Sequence, residues 1–249
     1  MKTLHTDIAV LGAGTAGLAA YRAAKAAGKR ALLIEGGPYG TTCARVGCMP
    51  SKLLIAAAEA AHNAAHTEAF GVQVQGEIAV DGVAVMDRVK RERDRFVGFV
   101  LEGVENIPAE DKIRGYARFV SDTVLRVDEH TEIHASRVVI ATGSRPAVPP
   151  PFRGLGDRLM LNDDVFAWDD LPRRVAVFGP GVIGLELGQA LARLGVEVRV
   201  FGVSGSLGGI SDPQVRHSAR KIFQREFYLD PDARVLETQR VGDEVEVRY

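Results

Sequence analysis

The feature that most constrains the fold is a pattern that the chain carries twice, once near its start and once in its second half. Asp7–Glu35 and Arg174–Gly202 each contain a short apolar strand, a glycine-rich turn, a helix rich in alanine and leucine, and a second apolar strand. Both turns have the spacing Gly-x-Gly-x-x-Gly. This strand–helix–strand unit is typical of dinucleotide-binding α/β domains, so its repetition predicts two nucleotide sites.

The first glycine turn has the chemistry that a bound pyrophosphate requires. Gly12 permits a tight turn, Gly14 lets the backbone approach the phosphates, and Gly17 allows the helix to pack closely on the strand. The N-terminus of that helix presents unpaired N–H groups and a partial positive charge to the same phosphates. Glu35 ends the second strand at the spacing expected for an acid that binds ribose hydroxyls. Together these features predict a nucleotide site rather than an unliganded turn.

The second turn repeats the glycines of the first but lacks its acid. The turn contains Gly179, Gly181 and Gly184, and the position equivalent to Glu35 is Gly202. No cluster of arginines follows that would bind a 2′-phosphate. The sequence therefore favours NAD over NADP at this site, although the missing acid leaves both open.

The chain has only two cysteines, Cys43 and Cys48. In a reducing compartment such a close pair is typical of metal binding or redox chemistry rather than of a structural disulfide. Two thiolates alone rarely complete a zinc site, so redox chemistry is favoured and no metal is predicted. Residues five apart in a regular helix have Cα atoms about 8.7 Å apart, beyond the ~6.8 Å that a disulfide usually spans. The pair can therefore bond only where the helix is distorted, and Gly47 would ease that distortion.

Two segments resemble known motifs of the pyridine nucleotide-disulfide oxidoreductases. The sequence TTCARVGCMPSK, at residues 41–52, resembles the redox-active disulfide helix of that family, most closely in its dihydrolipoamide dehydrogenase branch. GVIGLELG, at residues 181–188, resembles the family's nicotinamide site. The resemblance implies an α/β fold of two Rossmann-like dinucleotide-binding domains with three-layer ββα character, in truncated form. We expect an FAD-binding domain over residues 1–150 and an incomplete NAD(P)-binding domain over 151–249.

The resemblance also implies roles for individual residues. Cys48 is the thiol beside the flavin, and Cys43 exchanges with the substrate disulfide. Lys52 lies near the flavin N5 and pairs with Glu186, so these four are the implied catalytic residues. The positions implied to bind FAD or NAD(P) are Gly12, Gly14, Gly17, Glu35, Thr42, Gly47, Lys52, Gly115, Ala117, Ala141, Thr142, Gly143, Gly179, Gly181, Ile183, Gly184, Glu186 and Gly202.

The implied reaction oxidises a dithiol, with protein-bound dihydrolipoamide as the best match, and passes hydride to NAD⁺. Two alternatives stay open: a glutathione or mercuric reductase on the same scaffold, and a non-catalytic dinucleotide-binding fragment with a vestigial cysteine pair. Family members continue into an interface domain whose H-P-x-x-x-E segment supplies an acid–base pair to the partner subunit, and no such segment occurs here. We therefore expect a truncated chain without substantial turnover of its own and a longer, homodimeric parent.

Charge and hydropathy limit the partners. The formal net charge of −1 gives no general attraction to nucleic acid or to an anionic membrane. The longest apolar stretch, Val175–Ala192, is interrupted by glycines, Pro180 and Glu186, so it predicts no membrane span. No export signal precedes the first strand, and we expect a cytoplasmic protein. His62 and His66 stand four apart, but without a third ligand they predict an ordinary surface pair.

Apolar periodicity predicts the elements between and after the two repeats. We expect helices over residues 51–67, 83–104 and 213–227, and strands over 114–120, 123–127, 132–134, 137–141, 233–239 and 244–249. The proline-rich stretch at 145–152 predicts an extended connection, because proline continues neither a helix nor a sheet ladder.

Overall fold

The structure, a computed structural model, describes residues 1–249. Its strands are β1 (Lys2–Leu11), β2 (Ala31–Glu35), β3 (Lys112–Arg114), β4 (Ala117–Ser121), β5 (Val124–Val127), β6 (Thr131–Ile140), β7 (Arg174–Phe178), β8 (Glu197–Phe201), β9 (Tyr228–Asp230), β10 (Glu237–Val241) and β11 (Glu244–Arg248). Its α-helices are α1 (Thr15–Ala26), α2 (Thr42–Val46), α3 (Cys48–Ala65), α4 (Gly82–Glu105), α5 (Val182–Arg193) and α6 (Pro213–Phe223). Short 3₁₀ helices cover Thr67–Phe70, Ala109–Asp111, Pro150–Arg158 and Asp164–Ala167.

The chain divides into two compact units. The first comprises residues 1–49 and 93–145, and the second comprises 50–92 and 146–249. The division falls inside α3 and α4, so each of these helices belongs partly to both units. The break after Arg145 lies close to the expected boundary at residue 150, whereas residues 50–92 group with the second unit.

A six-stranded sheet with the order β3-β2-β1-β6-β5-β4 forms the centre of the first unit. Strands β3, β2, β1 and β6 are parallel, and β5 and β4 are antiparallel to their neighbours. Buried side chains of β1, β2 and α1 pack together in one core cluster, and a second cluster joins other side chains of β1 and β2 to residues that include Leu125 and Ile133. The parallel strands end at one edge of the sheet, where β–α units bind their ligands.

The structure divides the chain into strands differently from the prediction at two places. The separate strands expected at 132–134 and 137–141 form one strand, β6, because pairing with β1 continues between them through Thr6 and Ala135. The single strand expected at 114–120 is two strands, because Gly115 has φ +142° between β3 and β4. Glycine reaches such a conformation without a steric penalty, so the chain can turn there from one strand to the next.

The second unit contains a parallel sheet of order β7-β8-β9 and the antiparallel hairpin β10–β11. α5 connects β7 to β8 and buries Leu187 and Leu191. Strand β9 was not predicted, since three residues carry too little periodicity, and α6 ends at Phe223 rather than near 227. With this unit the structure confirms the predicted α/β class with two Rossmann-like repeats. None of the helices is both long enough and apolar enough to cross a membrane.

Candidate functional site

The residues expected at the first nucleotide site gather at the carboxyl edge of the large sheet. Gly12 follows β1, Glu35 ends β2, Gly115 follows β3 and Ala141 follows β6. The backbone pairs these ends: Gly115 N–H donates to the carbonyl of Glu35 at 3.1 Å, and Ala141 N–H donates to that of Leu11 at 2.8 Å. Thr142, Gly143 and Ala117 are adjacent in the chain to these residues.

The first turn is tightly packed on one side and open on the other. A Cβ at Gly12 would lie 2.2 Å from the carbonyl oxygen of Ala141, and one at Gly17 would lie 1.8 Å from that of Gly12. A Cβ at Gly14 would meet no atom within 4 Å. The packing of the turn therefore requires glycine at positions 12 and 17. The space beside Gly14 is open and can admit the phosphates of a ligand.

Helix α1 begins at this open side without a cap from its own side chains. Gly14 is its N-cap and gives no side-chain hydrogen bond. In contrast, Thr41 caps α2, and Asp212 caps α6 by accepting from two backbone N–H groups. The first N–H groups of α1 thus remain available to an anion, which fits the pyrophosphate of a dinucleotide.

Glu35, which is predicted to bind ribose hydroxyls, contacts the backbone of the first turn in this structure. Its two carboxylate oxygens accept from the N–H groups of Ala13 and Gly37, each at 2.7 Å. A carboxylate oxygen accepts more than one hydrogen bond, so these contacts leave capacity for ribose hydroxyls. The donor and acceptor set at this edge therefore fits the adenosine diphosphate half of FAD.

The second turn repeats this arrangement in the other unit. A Cβ at Gly184 would lie 2.1 Å from the carbonyl oxygen of Gly179, while one at Gly181 would meet nothing within 4 Å. α5 starts at Gly181 without a side-chain cap. These residues and Ile183 border a cavity of about 1380 Å³. The turn therefore fits a second dinucleotide.

At Gly202 the structure shows why no acid occupies the ribose position. A Cβ there would lie 2.6 Å from both the Pro180 ring and the carbonyl oxygen of Pro231. A carboxylate contacts the loop after β8 instead: Asp232, two residues after the end of β9, accepts from the N–H of Ser204 at 3.0 Å. No local pattern in the sequence indicates that Pro180 excludes a side chain from the end of the neighbouring strand.

The two cysteines lie on either side of a helix break. α2 ends at Val46, α3 begins at Cys48, and Gly47 between them has φ −129° and ψ −122°. A Cβ at Gly47 would lie 3.2 Å from the Cα of Cys43. The helix is therefore distorted at the glycine where the spacing of the cysteines predicted a distortion. Thr42, which the resemblance places at the cofactor, is the first residue of α2 and is exposed.

The thiols of the pair interact but are not joined by a disulfide in this structure. Burial raises the pKa of the Cys43 thiol, and the hydrogen bond and charge of Cys48 raise it further. Backbone N–H groups of Cys48 and Met49, at the start of α3, lower it by a smaller amount. The backbone at the start of α3 thus favours the thiolate, but burial outweighs this effect. A base is needed to deprotonate Cys43 at neutral pH.

Lys52 and Glu186 form an ion pair, with Lys52 Nζ 2.7 Å from Glu186 Oε2. Ser51, which is buried, also donates to this carboxylate. Partial burial raises the pKa of Glu186, but the hydrogen bonds from Lys52 and Ser51 and the charge of Lys52 outweigh that effect, so the net pKa is lowered. Glu186 is therefore an anion at neutral pH, bound by two adjacent residues of α3, Ser51 and Lys52.

This lowered pKa predicts how stability depends on pH. A carboxyl group whose pKa is depressed by folding stabilises the protein above its usual pKa of 4.5 and loses that contribution as pH falls below it. We expect Glu186→Gln to lower the free energy of unfolding by about 0.5–1 kcal/mol at pH 7, and by a smaller amount at pH 3. Urea unfolding at both pH values measures this difference. Glu237→Gln, which removes an exposed carboxylate 3.0 Å from Arg248, should have a smaller effect at pH 7.

Sequence reasoning missed Thr41 and Ser51 as parts of this region. Thr41 has φ +60° and accepts from the N–H of Ala44 at 3.1 Å, so a β-branched residue takes a conformation that glycine favours. A threonine just before a helix was the available signal for this cap. Nothing local marked Ser51, because its partner Glu186 is distant in sequence.

The histidine pair does not extend into a metal site. The rings of His62 and His66 lie 4.2 Å apart between centroids. No group of three or more His, Cys, Asp or Glu side chains in the chain is arranged to hold a metal ion.

Comparison with known proteins gives consistent similarities. A sequence model of the family described as pyridine nucleotide-disulphide oxidoreductase matches residues 6–247. The mitochondrial dihydrolipoyl dehydrogenase of Pisum sativum is 31% identical over 96% of this chain and 48% of its own length. The mercuric reductase of Shigella flexneri is 34% identical over 88% of this chain and 40% of its own length.

Solved structures show the same fold. The HOCl-induced flavoprotein disulfide reductase RclA from Escherichia coli superposes with a TM-score of 0.80 at 23% identity, covering 97% of this chain and 52% of that one. The chain spans about half the length of the curated relatives that it matches.

Proposed function

Because the chain belongs to the pyridine nucleotide-disulphide oxidoreductase family, we propose that it carries the FAD site, the redox-active cysteine pair and the nicotinamide turn of a flavin-dependent disulfide oxidoreductase. The observation that carries the proposal is the break at Gly47, which brings Cys43 and Cys48 into contact at the start of α3. The open, uncapped turns at Gly14 and Gly181 support two dinucleotides.

The substrate in this proposal is a dithiol of the dihydrolipoamide type, as in the dihydrolipoyl dehydrogenases that the chain resembles. A substrate thiolate attacks Cys43 Sγ of the Cys43–Cys48 disulfide, and Cys48 leaves as a thiolate. The second substrate thiolate then attacks the substrate sulfur of the mixed disulfide and releases Cys43. The substrate becomes a disulfide, its two protons pass to base, and two electrons remain on the cysteine pair.

FAD, when bound, supplies the two-electron acceptor between the cysteine pair and the nicotinamide. Cys48 and Lys52 lie four residues apart on α3, so they share one face of that helix. The ammonium of Lys52, held by Glu186, places a positive charge where negative charge develops on reduction.

We propose NAD as the partner at the second turn, because a carboxylate, Asp232, contacts the loop after β8 and would repel a 2′-phosphate. A homodimeric parent and a cytoplasmic location are further parts of this proposal.

Two other functions receive support from particular observations. The similarity to mercuric reductase favours a related reductase on the same scaffold. The raised pKa of Cys43 favours a fragment that binds dinucleotides without turnover, because a thiol is a much weaker nucleophile than a thiolate. Titration of the thiols after mild oxidation separates these functions: a reducible Cys43–Cys48 bond supports a reductase, and two thiols that never bond support the inert fragment.

The visible spectrum of the purified chain tests the proposed function. We expect the chain to bind FAD at one equivalent and, on anaerobic reduction by a dithiol, to develop a long-wavelength thiolate-to-flavin absorption band. Cys48→Ser should retain FAD but lose this band, whereas Cys43→Ser, which keeps the Cys48 thiol, should show it without reduction. A chain that stays colourless with excess FAD contradicts the proposal.

A further inference from the structure

The ion pair of Lys52 with Glu186 is accompanied by a second ion pair between the same two helices. Arg193 Nη1 donates to Glu59 Oε1 at 2.5 Å, with Glu59 on α3 and Arg193 at the end of α5. Both pairs join residues separated by 134 positions in the chain. On each helix the two contact residues are therefore seven apart, which is two turns, or about 10.5 Å along the axis. α3 and α5 thus run side by side in the same direction, joined at two levels.

The two ion pairs have opposite polarity between the helices. At the first level α3 supplies the cation and α5 the anion, and at the second level α3 supplies the anion, Glu59, and α5 the cation, Arg193. A shift of one helix along the other by two turns would place Lys52 beside Arg193 or Glu59 beside Glu186. Because like charges repel at such distances, this arrangement favours the observed register of the helices over the registers two turns away.

Arg193 is much more firmly held than Lys52. Its guanidinium donates twice to Glu226, from Nε at 2.7 Å and from Nη2 at 3.0 Å, and Gln189 donates to the same carboxylate at 2.8 Å. The Arg193 side chain is only 16% exposed, compared with 62% for Lys52. A bidentate, largely buried arginine is fixed in geometry, whereas an exposed lysine samples many conformations.

We propose that Arg193, fixed by Glu226 and Gln189, is a positioning residue that sets the register of α3 against α5 through Glu59 and so holds Lys52 against Glu186. This inference rests on the proposed function, because it assigns the pair Lys52–Glu186 an effect on the flavin. Glu226 lies after α6, so its ion pair with Arg193 also connects α5 to a third segment of the second unit. The acid–base and redox chemistry itself does not involve Arg193.

Zero-length carbodiimide cross-linking tests the inference without any flavin. The reagent joins an amine and a carboxylate in contact as an amide, so the yield of the Lys52–Glu186 product, measured by peptide mass spectrometry, reports how often the two groups meet. We expect Arg193→Gln and Glu59→Arg each to lower this yield at least about threefold, in line with the loss of ~0.7 kcal/mol of positioning. Arg193→Lys should retain more of the yield than Arg193→Gln. Arg248→Gln removes the exposed ion pair of Arg248 with Glu237 in the β10–β11 hairpin and should leave the yield unchanged.

Glu59→Arg keeps the experiment decisive if Arg193→Gln fails to fold, because Arg193 stays on Glu226 in that variant. In FAD-loaded protein the same variants should shift the flavin midpoint potential to a more negative value, since a displaced cation no longer stabilises the anionic reduced flavin. Cross-linking at the wild-type level in both variants overturns the inference, and so does a wild-type chain that gives no Lys52–Glu186 product. Failure of the chain to bind FAD contradicts the proposed function alone, because the cross-linking comparison needs no cofactor.

Discussion

Gly17→Ala is expected to lower the free energy of unfolding of the first unit by about 3 kcal/mol. The new Cβ would lie 1.8 Å from the carbonyl oxygen of Gly12 and 3.4 Å from a methyl group of Val10. Both the turn and the helix would have to move, because the nearest atom belongs to the backbone. Alanine gains about 1 kcal/mol over glycine in a helix, which is too little to offset such a contact.

Gly14→Ala is the matched control, since it makes the same chemical change three residues earlier in the same fingerprint. A Cβ at Gly14 meets nothing within 4 Å, and its φ of −77° suits any residue. We expect its free energy of unfolding to stay within about 0.5 kcal/mol of the wild-type value, while FAD binding weakens at least about tenfold. Urea unfolding and FAD titration of both variants measure the contrast. Equal stability of the two variants contradicts the packing of the turn shown by the structure.

The second unit offers an independent repeat of this comparison. Gly184 has the close contact of Gly17, with a Cβ 2.1 Å from the carbonyl oxygen of Gly179, and Gly181 has the open position of Gly14. Gly184→Ala should therefore destabilise the second unit, and Gly181→Ala should weaken nicotinamide binding without doing so.

Gly202→Asp is expected to destabilise the second unit by about 3–5 kcal/mol instead of restoring a ribose-binding acid. Gly202 is buried, and a Cβ there would lie 2.6 Å from the Pro180 ring and from the carbonyl oxygen of Pro231. The new carboxylate would be forced against a carbonyl oxygen and a proline ring, neither of which donates a hydrogen bond. Introducing an acid at position 202 would thus fail for both steric and electrostatic reasons.

Val203→Asp provides the control, because it adds the same acid one residue later, where the side chain is 74% exposed. Its free energy of unfolding should stay within about 0.5 kcal/mol of the wild-type value. Thermal and urea unfolding compare the two variants, and titration with NAD and NADP shows whether either acid changes the preference. A Gly202→Asp chain as stable as Val203→Asp would show that Pro180 does not close this position. Pro180→Ala in the Gly202→Asp background should recover part of the lost stability, since it removes the ring.

Much of the fold could be predicted from the sequence, because the decisive signals are local. The repeated Gly-x-Gly-x-x-Gly between apolar segments indicates a strand, a turn and a helix within thirty or so residues. The spacing of Cys43 and Cys48 likewise required a distorted helix, and the structure has the break at Gly47. The boundaries of β3, β4 and β6 could not be predicted, because Gly115 and the pairing with β1 decide them.

The sequence by itself determined the α/β class, the two glycine turns and the region of the cysteine pair, since each depends on residues close in the chain. Only the tertiary structure decided the electrostatics of the site. Burial raises the pKa of Cys43 against the effect of its helix N-terminus. Pro180 and Pro231 close the space at Gly202, and Arg193 reaches Glu59 and Glu226 from distant segments. Such contacts depend on how separate elements pack, and no periodicity or local spacing encodes the distance between two side chains brought together by folding.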